Sequence, residues 1–274
     1  MNIAFVSCVK YGLSCFEELL NNSIPVKLCI TLKDELGKKK SGRVFFDKTC
    51  GLHGVKILKI NHINDKEVLD SLISHDIDWL FIVGWSQIAG QEVISSLNKG
   101  AIGMHPTLLP EGRGRAPIPW AIIKNLKVTG VTLFKINEKV DKGDILLQRK
   151  IRIYKNETAT TLYRKVELSQ INLIKSIIPK LKNNSFKITK QNEMKASYWP
   201  KRSPEDGEIS LTSLVADAER KVRALTHPYP GAFIIINEQK IIIWNCKIRK
   251  TKSKKKLSIQ LKDGFLECLS WTKG

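Results

Sequence analysis

The first 155 residues alternate short runs of β-branched and aromatic residues with segments of helical periodicity, and this alternation constrains the fold more than any other feature. The runs at 3–9, 26–31, 55–60 and 79–83 are typical of buried strands. Between them, residues 13–20, 44–48 and 68–74 space their apolar side chains three and four positions apart, as helices do. The pattern predicts an α/β fold with a mostly parallel sheet covered on both faces.

The rest of the chain predicts a smaller, β-rich domain. Two strands, at 130–135 and 145–153, precede a long helix that begins after Thr158. Residues 184–206 lose periodicity and are interpreted as a linker. One helix and four short strands follow, with a turn at Asp263-Gly264. We therefore predict an α/β domain at 1–183, a linker at 184–206 and a small β-rich domain at 207–274.

One histidine has surroundings that suit catalysis. His105 follows the strand-like segment 101–104, where ligands of parallel sheets are expected. The Pro- and Gly-rich loop after it carries Arg113 and Arg115, whose guanidinium groups suit a carboxylate or a phosphate. Asp141 follows in a later, turn-forming segment. If Asp141 lies beside His105 in the fold, His105 can act as a general base whose pKa the carboxylate raises. The alternative is that His105 is a structural histidine and Asp141 a turn residue.

Several function classes are disfavoured by what the sequence lacks. It has no metal-ligand set, no P-loop and no Gly-rich dinucleotide motif after the first strand, so we expect neither a metal nor an NAD- or ATP-dependent reaction. The six cysteines are scattered and are interpreted as reduced thiols. We see no signal peptide and no apolar run long enough to span a bilayer, and expect a cytoplasmic protein without a membrane partner.

The formal net charge of +20 indicates a phosphate-bearing partner, of which RNA is one kind. Most of the lysines are dispersed along the chain, which is also typical of a solvated surface. Two clusters are denser: Lys38-Lys39-Lys40 and the basic run at 247–256.

Two segments, GAIGMHPTLLPEGRGRAPIPW and TGVTLFKINEKVDKGDIL, resemble the core motifs of the N10-formyltetrahydrofolate-dependent formyltransferases. KRSPEDGEIS and VRALTHPYPGAF resemble the linker and second domain of the methionyl-tRNA and sugar branches of that family. The resemblance implies a Rossmann-like formyltransferase catalytic domain with a small, OB-like C-terminal domain. It also implies transfer of a formyl group from N10-formyltetrahydrofolate to a primary amine.

The resemblance assigns roles to individual residues. His105 is expected to be the proton-transfer base, tuned by Asp141. The folate pteridine is expected between two loops and bound largely through backbone groups. The cofactor-binding residues implied in this way are Trp85, Ser86, Gln87, Ile88, Ala89, Arg115, Asn137, Glu138, Lys139, Val140, Asp141 and Asp144.

The chain departs from the family at Gly103, where the family has an asparagine that donates a hydrogen bond to the oxyanion. Loss of one such donor costs about 100- to 1000-fold in rate. We expect Gln87 or Ser86 to project a donor into the gap, and Gly103→Asn to be tolerated if the gap is empty. A slow enzyme, a different donor, another acyl transfer or a binding protein without activity are the alternatives.

Two classes of acceptor remain. The run RGRAPIPW is close to RGRAPLNW of the sugar branch, which favours a nucleotide-linked amino sugar of glycan or lipopolysaccharide biosynthesis. The net charge and the lysine clusters favour the alternative acceptor, a charged initiator tRNA. The resemblance leaves open whether the protein forms a homodimer.

Overall fold

The computed structural model describes residues 1–37, 41–253 and 257–274. Lys38-Lys39-Lys40 and residues 254–256 of the second basic run lie outside the described residues. The first half of the chain forms β1 (Ile3–Val6), α1 (Lys10–Asn21), β2 (Val26–Leu32), α2 (Asp34–Gly37), α3 (Asp47–His53), β3 (Lys56–Ile60), α4 (Lys66–Ser74), β4 (Trp79–Val83), α5 (Gln91–Ser95), β5 (Gly100–His105), β6 (Arg113–Gly114), α6 (Pro117–Ile123) and β7 (Val128–Lys135). The second half forms β8 (Ile145–Arg152), α7 (Ala159–Lys182), β9 (Tyr198–Trp199), α8 (Val215–Ala224), β10 (Ala232–Ile236), β11 (Gln239–Arg249), β12 (Ser258–Leu261) and β13 (Gly264–Lys273), with short 3₁₀ helices at Glu193–Lys195 and Glu205–Gly207.

The chain divides into two compact units that interleave along the sequence. The first unit comprises Met1–Gly114, Gly130–Ile151 and Lys165–Tyr198. The second unit comprises Arg115–Thr129, Arg152–Arg164 and Trp199–Gly274. The domain boundaries at residues 183 and 206 stay a prediction from the sequence.

The first unit is built on a seven-stranded sheet with the order β3-β2-β1-β4-β5-β7-β8. The five strands from β3 to β5 in this order are parallel, and β7 is antiparallel to β5. Every residue of β1 and of β4 is buried, as their continuous apolar sequences require. The predicted α/β class with a mostly parallel sheet is confirmed.

The strand order reverses direction at β1. β1 lies between β2 and β4. The chain adds β2 and β3 on one side of β1 and then adds β4 and β5 on its other side. Parallel sheets bind ligands beyond the carboxyl ends of the strands at such a switch point. β5 runs parallel to β4 and ends at His105, so His105 lies at that same edge of the sheet.

Some predicted elements differ in extent. β1 ends at Val6 rather than at residue 9, because the hydroxyl of Ser7 accepts the N–H of Val9 and turns the chain into α1. The helix predicted at 44–48 lies at Asp47–His53. The Pro-rich segment after Arg115 forms α6, in which Pro117 occupies the first turn, where a missing N–H costs nothing.

The second unit contains a four-stranded antiparallel sheet with the order β10-β11-β13-β12. The helix α8 packs against this sheet and buries Val215, Ala218, Val222 and Ala224. Leu261 pairs with Gly264, so the turn between β12 and β13 is formed by residues 262–263, one position before the predicted turn. The β-rich second part of the predicted fold is confirmed.

All six cysteines are free, and all but Cys246 are buried. Within the described ranges, no group of His, Cys, Asp and Glu side chains is arranged to hold a metal ion. Of the helices in the same ranges, none combines the length and the apolar character that a membrane span requires.

Candidate active site

His105 is the last residue of β5, and its side chain is buried. Its Nε2 lies 2.8 Å from the carbonyl oxygen of Gly112. Because a carbonyl oxygen only accepts hydrogen bonds, Nε2 carries the hydrogen and donates it. In the neutral ring this arrangement leaves the free lone pair on Nδ1.

Asp141 lies in the turn that joins β7 to β8, and its carboxylate faces this ring. Oδ2 of Asp141 is 3.6 Å from Nδ1 of His105. The same oxygen accepts a hydrogen bond of 2.8 Å from the backbone N–H of Gly114, which fixes the carboxylate. The structure thus brings together the two residues that the sequence singled out.

Each nitrogen of the His105 ring therefore faces an oxygen atom. A proton on Nδ1 would give the ring two N–H groups, one toward the Gly112 carbonyl and one toward the Asp141 carboxylate. The two side chains are only 9% and 15% exposed, and attraction between charges is stronger there than in bulk water. The pair can accept one proton, which is the chemistry of a general base.

Arg113 is not available to a ligand, contrary to the expectation from the sequence. Its side chain is fully buried, and its five N–H groups all donate to protein atoms. The acceptors are Oε1 of Gln191 (3.2 and 2.8 Å), the carboxylate of Glu193 (2.9 and 2.6 Å) and the hydroxyl of Tyr198 (2.9 Å). The hydrogen bonds from Arg113 lower the pKa of Glu193 to about 2. The prediction of a ligand-binding role is therefore wrong for Arg113.

Gln191 links this cluster to the turn that carries Asp141. Its Nε2 donates to the carbonyl oxygens of Asp141 (2.8 Å) and Gly143 (2.7 Å). Sequence reasoning missed Gln191 and Glu193, because both fall in the aperiodic segment 184–206 that was interpreted as a linker. No signal in the sequence pairs that segment with Arg113, about eighty residues earlier.

Gly143 is required by the close approach of this turn to β7. A Cβ atom at residue 143 would lie 1.5 Å from the carbonyl oxygen of Lys135. No side chain fits at that position without moving the backbone. The glycine therefore lets the turn fold tightly enough to present Asp141.

Gly103 lies in the middle of β5, paired with Ile82 on β4 and with Phe134 on β7. A Cβ atom at residue 103 would lie 2.8 Å from Cζ of Phe134 and 3.1 Å from Cγ1 of Ile136. The space next to Gly103 is filled by the Phe134 ring. The expectation that Gly103→Asn is tolerated required an empty gap, and the structure has none.

The loop at 85–89 follows β4, and its glutamine is already engaged. Oε1 of Gln87 accepts the N–H of Ile63 (2.9 Å), and its Nε2 donates to the carbonyl of Asn61 (2.8 Å). The amide of Gln87 therefore holds its own loop in place. These contacts use the oxygen and one of the two amide hydrogens of Gln87, and both Gln87 and Ser86 stay predictions as the replacement donor.

A second side chain, missed in the sequence, fixes the same loop. Asn64 accepts the N–H of Gly90 (2.8 Å) and donates to the carbonyl of Ile88 (3.1 Å). Ala89 is buried, Trp85 is partly buried and Ile88 is 56% exposed. The loop thus presents an apolar side chain from a firmly held backbone.

The remaining predicted cofactor-binding residues are scattered between exposed and half-buried positions. Arg115 is exposed and belongs to the second unit, where its backbone N–H donates to the carbonyl of Trp199. Asp144 is half-buried at the start of β8, and its carbonyl accepts the N–H of Lys135. The four exposed residues of the turn are Asn137, Glu138, Lys139 and Val140. Cofactor binding by all of these residues stays a prediction.

Comparison with known proteins places the chain among formyl transferases. Residues 1–178 match the family model described as formyl transferase, and residues 201–267 match that of the formyl transferase C-terminal domain. The chain is 31% identical over 240 residues to the bifunctional polymyxin resistance protein ArnA of Wigglesworthia glossinidia brevipalpis. That similarity covers 86% of this chain and 36% of the relative, so the chain spans little more than a third of ArnA.

Two solved structures have the same fold. The N-formyltransferase from Helicobacter canadensis, in complex with folinic acid and dTDP-3-aminofucose, superposes with a TM-score of 0.71 and 18% identity, covering 98% of this chain and 99% of that one. The methionyl-tRNA formyltransferase from Clostridium thermocellum superposes with a TM-score of 0.66 and 19% identity, covering 100% of both chains. These two structures show the shared fold, and the two family matches with the similarity to ArnA show that this chain is an enzyme of the formyl transferase family.

Proposed function

We propose that this chain transfers a formyl group from N10-formyltetrahydrofolate to the primary amine of a nucleotide-linked amino sugar, with His105 as the base. The observation that carries the proposal is the pairing of His105 with Asp141, whose Oδ2 lies 3.6 Å from Nδ1. An amine that attacks a formyl carbon must lose a proton, and this pair can accept it.

The positions of the ring partners suggest how the proton moves. Nδ1 of His105 takes the proton from the acceptor amine, while the hydrogen on Nε2 stays bonded to the Gly112 carbonyl at 2.8 Å. The charged ring then lies between that carbonyl and the Asp141 carboxylate. As the formyl carbon bonds to the amine, its bond to N10 would break, and the proton held by His105 would balance the one that N10 needs to leave as tetrahydrofolate. Since Gly114 holds the carboxylate at 2.8 Å, little rearrangement accompanies the proton transfer.

The two predicted folate loops have a suitable chemistry for an aromatic pteridine. When bound, N10-formyltetrahydrofolate supplies the formyl group. Ile88 is 56% exposed and Val140 is 45% exposed, so each loop offers apolar surface to a flat ring. Backbone groups of residues 137, 138 and 140 can meet its polar edge. Those of Lys139 are engaged, because its N–H donates to the side chain of Asn137 and its carbonyl accepts the N–H of Lys142.

Glycine in place of asparagine at residue 103 affects how well the developing negative charge is stabilised, and leaves the proton transfer to His105 unchanged. Gly103 has no side chain that could donate to the negative charge that develops during the reaction, and the Gln87 amide keeps only one hydrogen beyond its bonds within the loop. One such donor is worth about 100- to 1000-fold in rate. Gln87 and Ser86 are the two predicted donors on the loop after β4.

The acceptor class rests on a different set of observations. The relative from Helicobacter canadensis was solved with dTDP-3-aminofucose, and the first curated relative is a polymyxin resistance protein, which supports a sugar nucleotide. The run RGRAPIPW, close to that of the sugar branch, points the same way. The net charge of +20 and the similarity to a methionyl-tRNA formyltransferase favour a tRNA as the second candidate.

An acceptor panel tests this proposal. The purified protein is given N10-formyltetrahydrofolate with UDP- and dTDP-linked amino sugars or with methionyl-tRNA, and products are identified by mass. A formylated sugar nucleotide is the expected result. Formylation of the tRNA alone would refute the proposed acceptor, and no product from any acceptor, with a folate analogue still bound, would refute the transfer itself.

A further inference from the structure

The turn that carries Asp141 adopts a backbone conformation that must be held in place. Asp141 has a φ of +54°, in the left-handed region that non-glycine residues rarely adopt. Within the turn, the N–H of Lys142 donates to the carbonyl of Lys139 at 3.2 Å and the N–H of Lys139 donates to Oδ1 of Asn137 at 3.1 Å. Contacts from outside the turn are therefore needed to fix the position of the Asp141 carboxylate.

Gln191 supplies such contacts on both sides of Lys142. Both hydrogens of its amide are used, one on the carbonyl of Asp141 at 2.8 Å and one on the carbonyl of Gly143 at 2.7 Å. Its Oε1 accepts two hydrogen bonds, both from Arg113. The Gln191 amide therefore has a partner for each of its hydrogen-bonding positions and a single orientation.

Arg113 gives Gln191 a rigid support. The guanidinium is 0% exposed and makes a bidentate pair with Glu193, with N–O distances of 2.9 and 2.6 Å. Paired N–H···O bonds of this kind fix the orientation of both groups. Arg113 also lies directly before Gly114, whose N–H donates to the Asp141 carboxylate. Arg113 therefore supports Asp141 in two ways. Its side chain orients Gln191, and its backbone leads directly into Gly114, which donates to the Asp141 carboxylate.

We propose that Gln191 is a positioning residue of the reaction, which holds the Asp141 carboxylate at His105 by clamping the two carbonyl groups of the turn. Arg113 and Glu193 set the orientation of the clamp. The inference rests on the proposed function for its kinetic consequence, although the clamp itself is a property of the folded chain. Gln191 touches no reacting atom and acts through Asp141.

The test uses Gln191→Glu, which keeps the length of the side chain and its bond to Arg113 but replaces the two donors by an acceptor. We expect kcat to fall about 10- to 100-fold with the KM for the acceptor amine unchanged, since small displacements of catalytic groups cost rates of this order. Gln191→Met removes the same donors without adding charge and should lower kcat similarly. Gln91→Glu, with the same charge change at an exposed position of α5, is the matched control and should retain full activity.

Two further readouts separate a positioning role from a general loss of structure. In an Asp141→Asn background, Gln191→Glu should lower kcat by less than about twofold, because residues that act as a unit are not additive. Equal losses in both backgrounds would overturn the proposal.

Amide hydrogen exchange of residues 137–144 should be faster in Gln191→Glu than in the wild type or in Gln91→Glu, and unchanged exchange would also overturn it. This exchange measurement decides the clamp even if the wild-type protein formylates none of the acceptors.

Discussion

The ring of Phe134 occupies the space that a side chain at residue 103 would need, with Cζ only 2.8 Å from the position of a Cβ atom. Gly103 and Phe134 are register partners on β5 and β7. An asparagine at residue 103, which the family resemblance implies, would therefore fit only if the Phe134 ring moved. The two positions are expected to change together.

Gly103→Asn should lower the free energy of unfolding by about 1–3 kcal/mol, because the new side chain must displace Phe134 in a close-packed region. Urea unfolding of the variant and the wild type measures the difference. Gly103→Ala adds the Cβ alone and should show a smaller part of the same loss.

The same substitution made together with Phe134→Ala tests the cause. If the ring is the obstacle, Gly103→Asn should cost less in the Phe134→Ala background than in the wild type, by about 0.5 kcal/mol or more. Strictly additive effects of the two substitutions would show that the Phe134 ring is not what excludes the asparagine.

Asp141→Asn removes the charge beside His105 and keeps the backbone and its contacts. Asparagine tolerates the φ of +54°, and its Oδ1 can still accept the N–H of Gly114. We expect kcat to fall, by no more than the about 100- to 10,000-fold that a positioned general base contributes, with little change in melting temperature. Steady-state kinetics and thermal unfolding measure the two quantities. Asp70→Asn on the exposed face of α4 is the control, and equal activity of the two variants would exclude a role for the charge.

Acid should weaken the cluster around Arg113. The hydrogen bonds from Arg113 lower the pKa of Glu193 from 4.5 to about 2. A carboxyl group whose pKa is lowered in the folded state stabilises the fold fully at pH values above its ordinary pKa. For Glu193 this stabilisation is lost as the pH falls from about 4.5 through about 2. The effect is modest because the Glu193 side chain is 58% exposed.

Melting temperatures of the wild type and of Glu193→Gln at pH 6 and pH 3 test this point. The variant should be less stable at pH 6, and the difference should shrink at pH 3. Glu67→Gln on α4, which is exposed, should follow the wild type at both pH values. A difference that does not depend on pH would show that the charge of Glu193 contributes nothing.

The response to salt separates the two acceptor classes. A tRNA acceptor bound through several phosphate contacts should lose kcat/KM by orders of magnitude between 50 and 200 mM salt, as counterion release predicts. A sugar nucleotide carries only a diphosphate, so we expect at most a change of a few fold over that range. A steep decline of kcat/KM for the sugar nucleotide would contradict this expectation.

Much of the fold follows from the sequence, because burial on both faces leaves a direct trace in it. β1 and β4 are apolar at every position, and this identifies them as inner strands of a parallel sheet. His105 and Asp141 were recognised through their motifs, although nothing in their spacing determines a separation of 3.6 Å. That distance depends on the turn at Gly143 and on how it packs against β7.

The supports of the site were not predictable in this way. Gln191 and Glu193 are polar residues in an aperiodic segment, and their partner Arg113 is distant in sequence. The register that sets Phe134 opposite Gly103 arises from tertiary pairing of β5 with β7 and leaves no local signal. For the same reason the sequence suggested Gln87 as a free donor, whereas its amide bonds the loop at Asn61 and Ile63.

The most direct test of the account is the formylation rate of His105→Asn with the acceptor that the wild type uses. We expect turnover to be abolished while the affinity for a non-reactive folate analogue changes no more than a few fold, because Nδ1 alone supplies the base. His53→Asn, at the exposed end of α3, should formylate at the wild-type rate. A wild-type rate in His105→Asn would contradict the central claim that His105 and Asp141 carry the proton transfer.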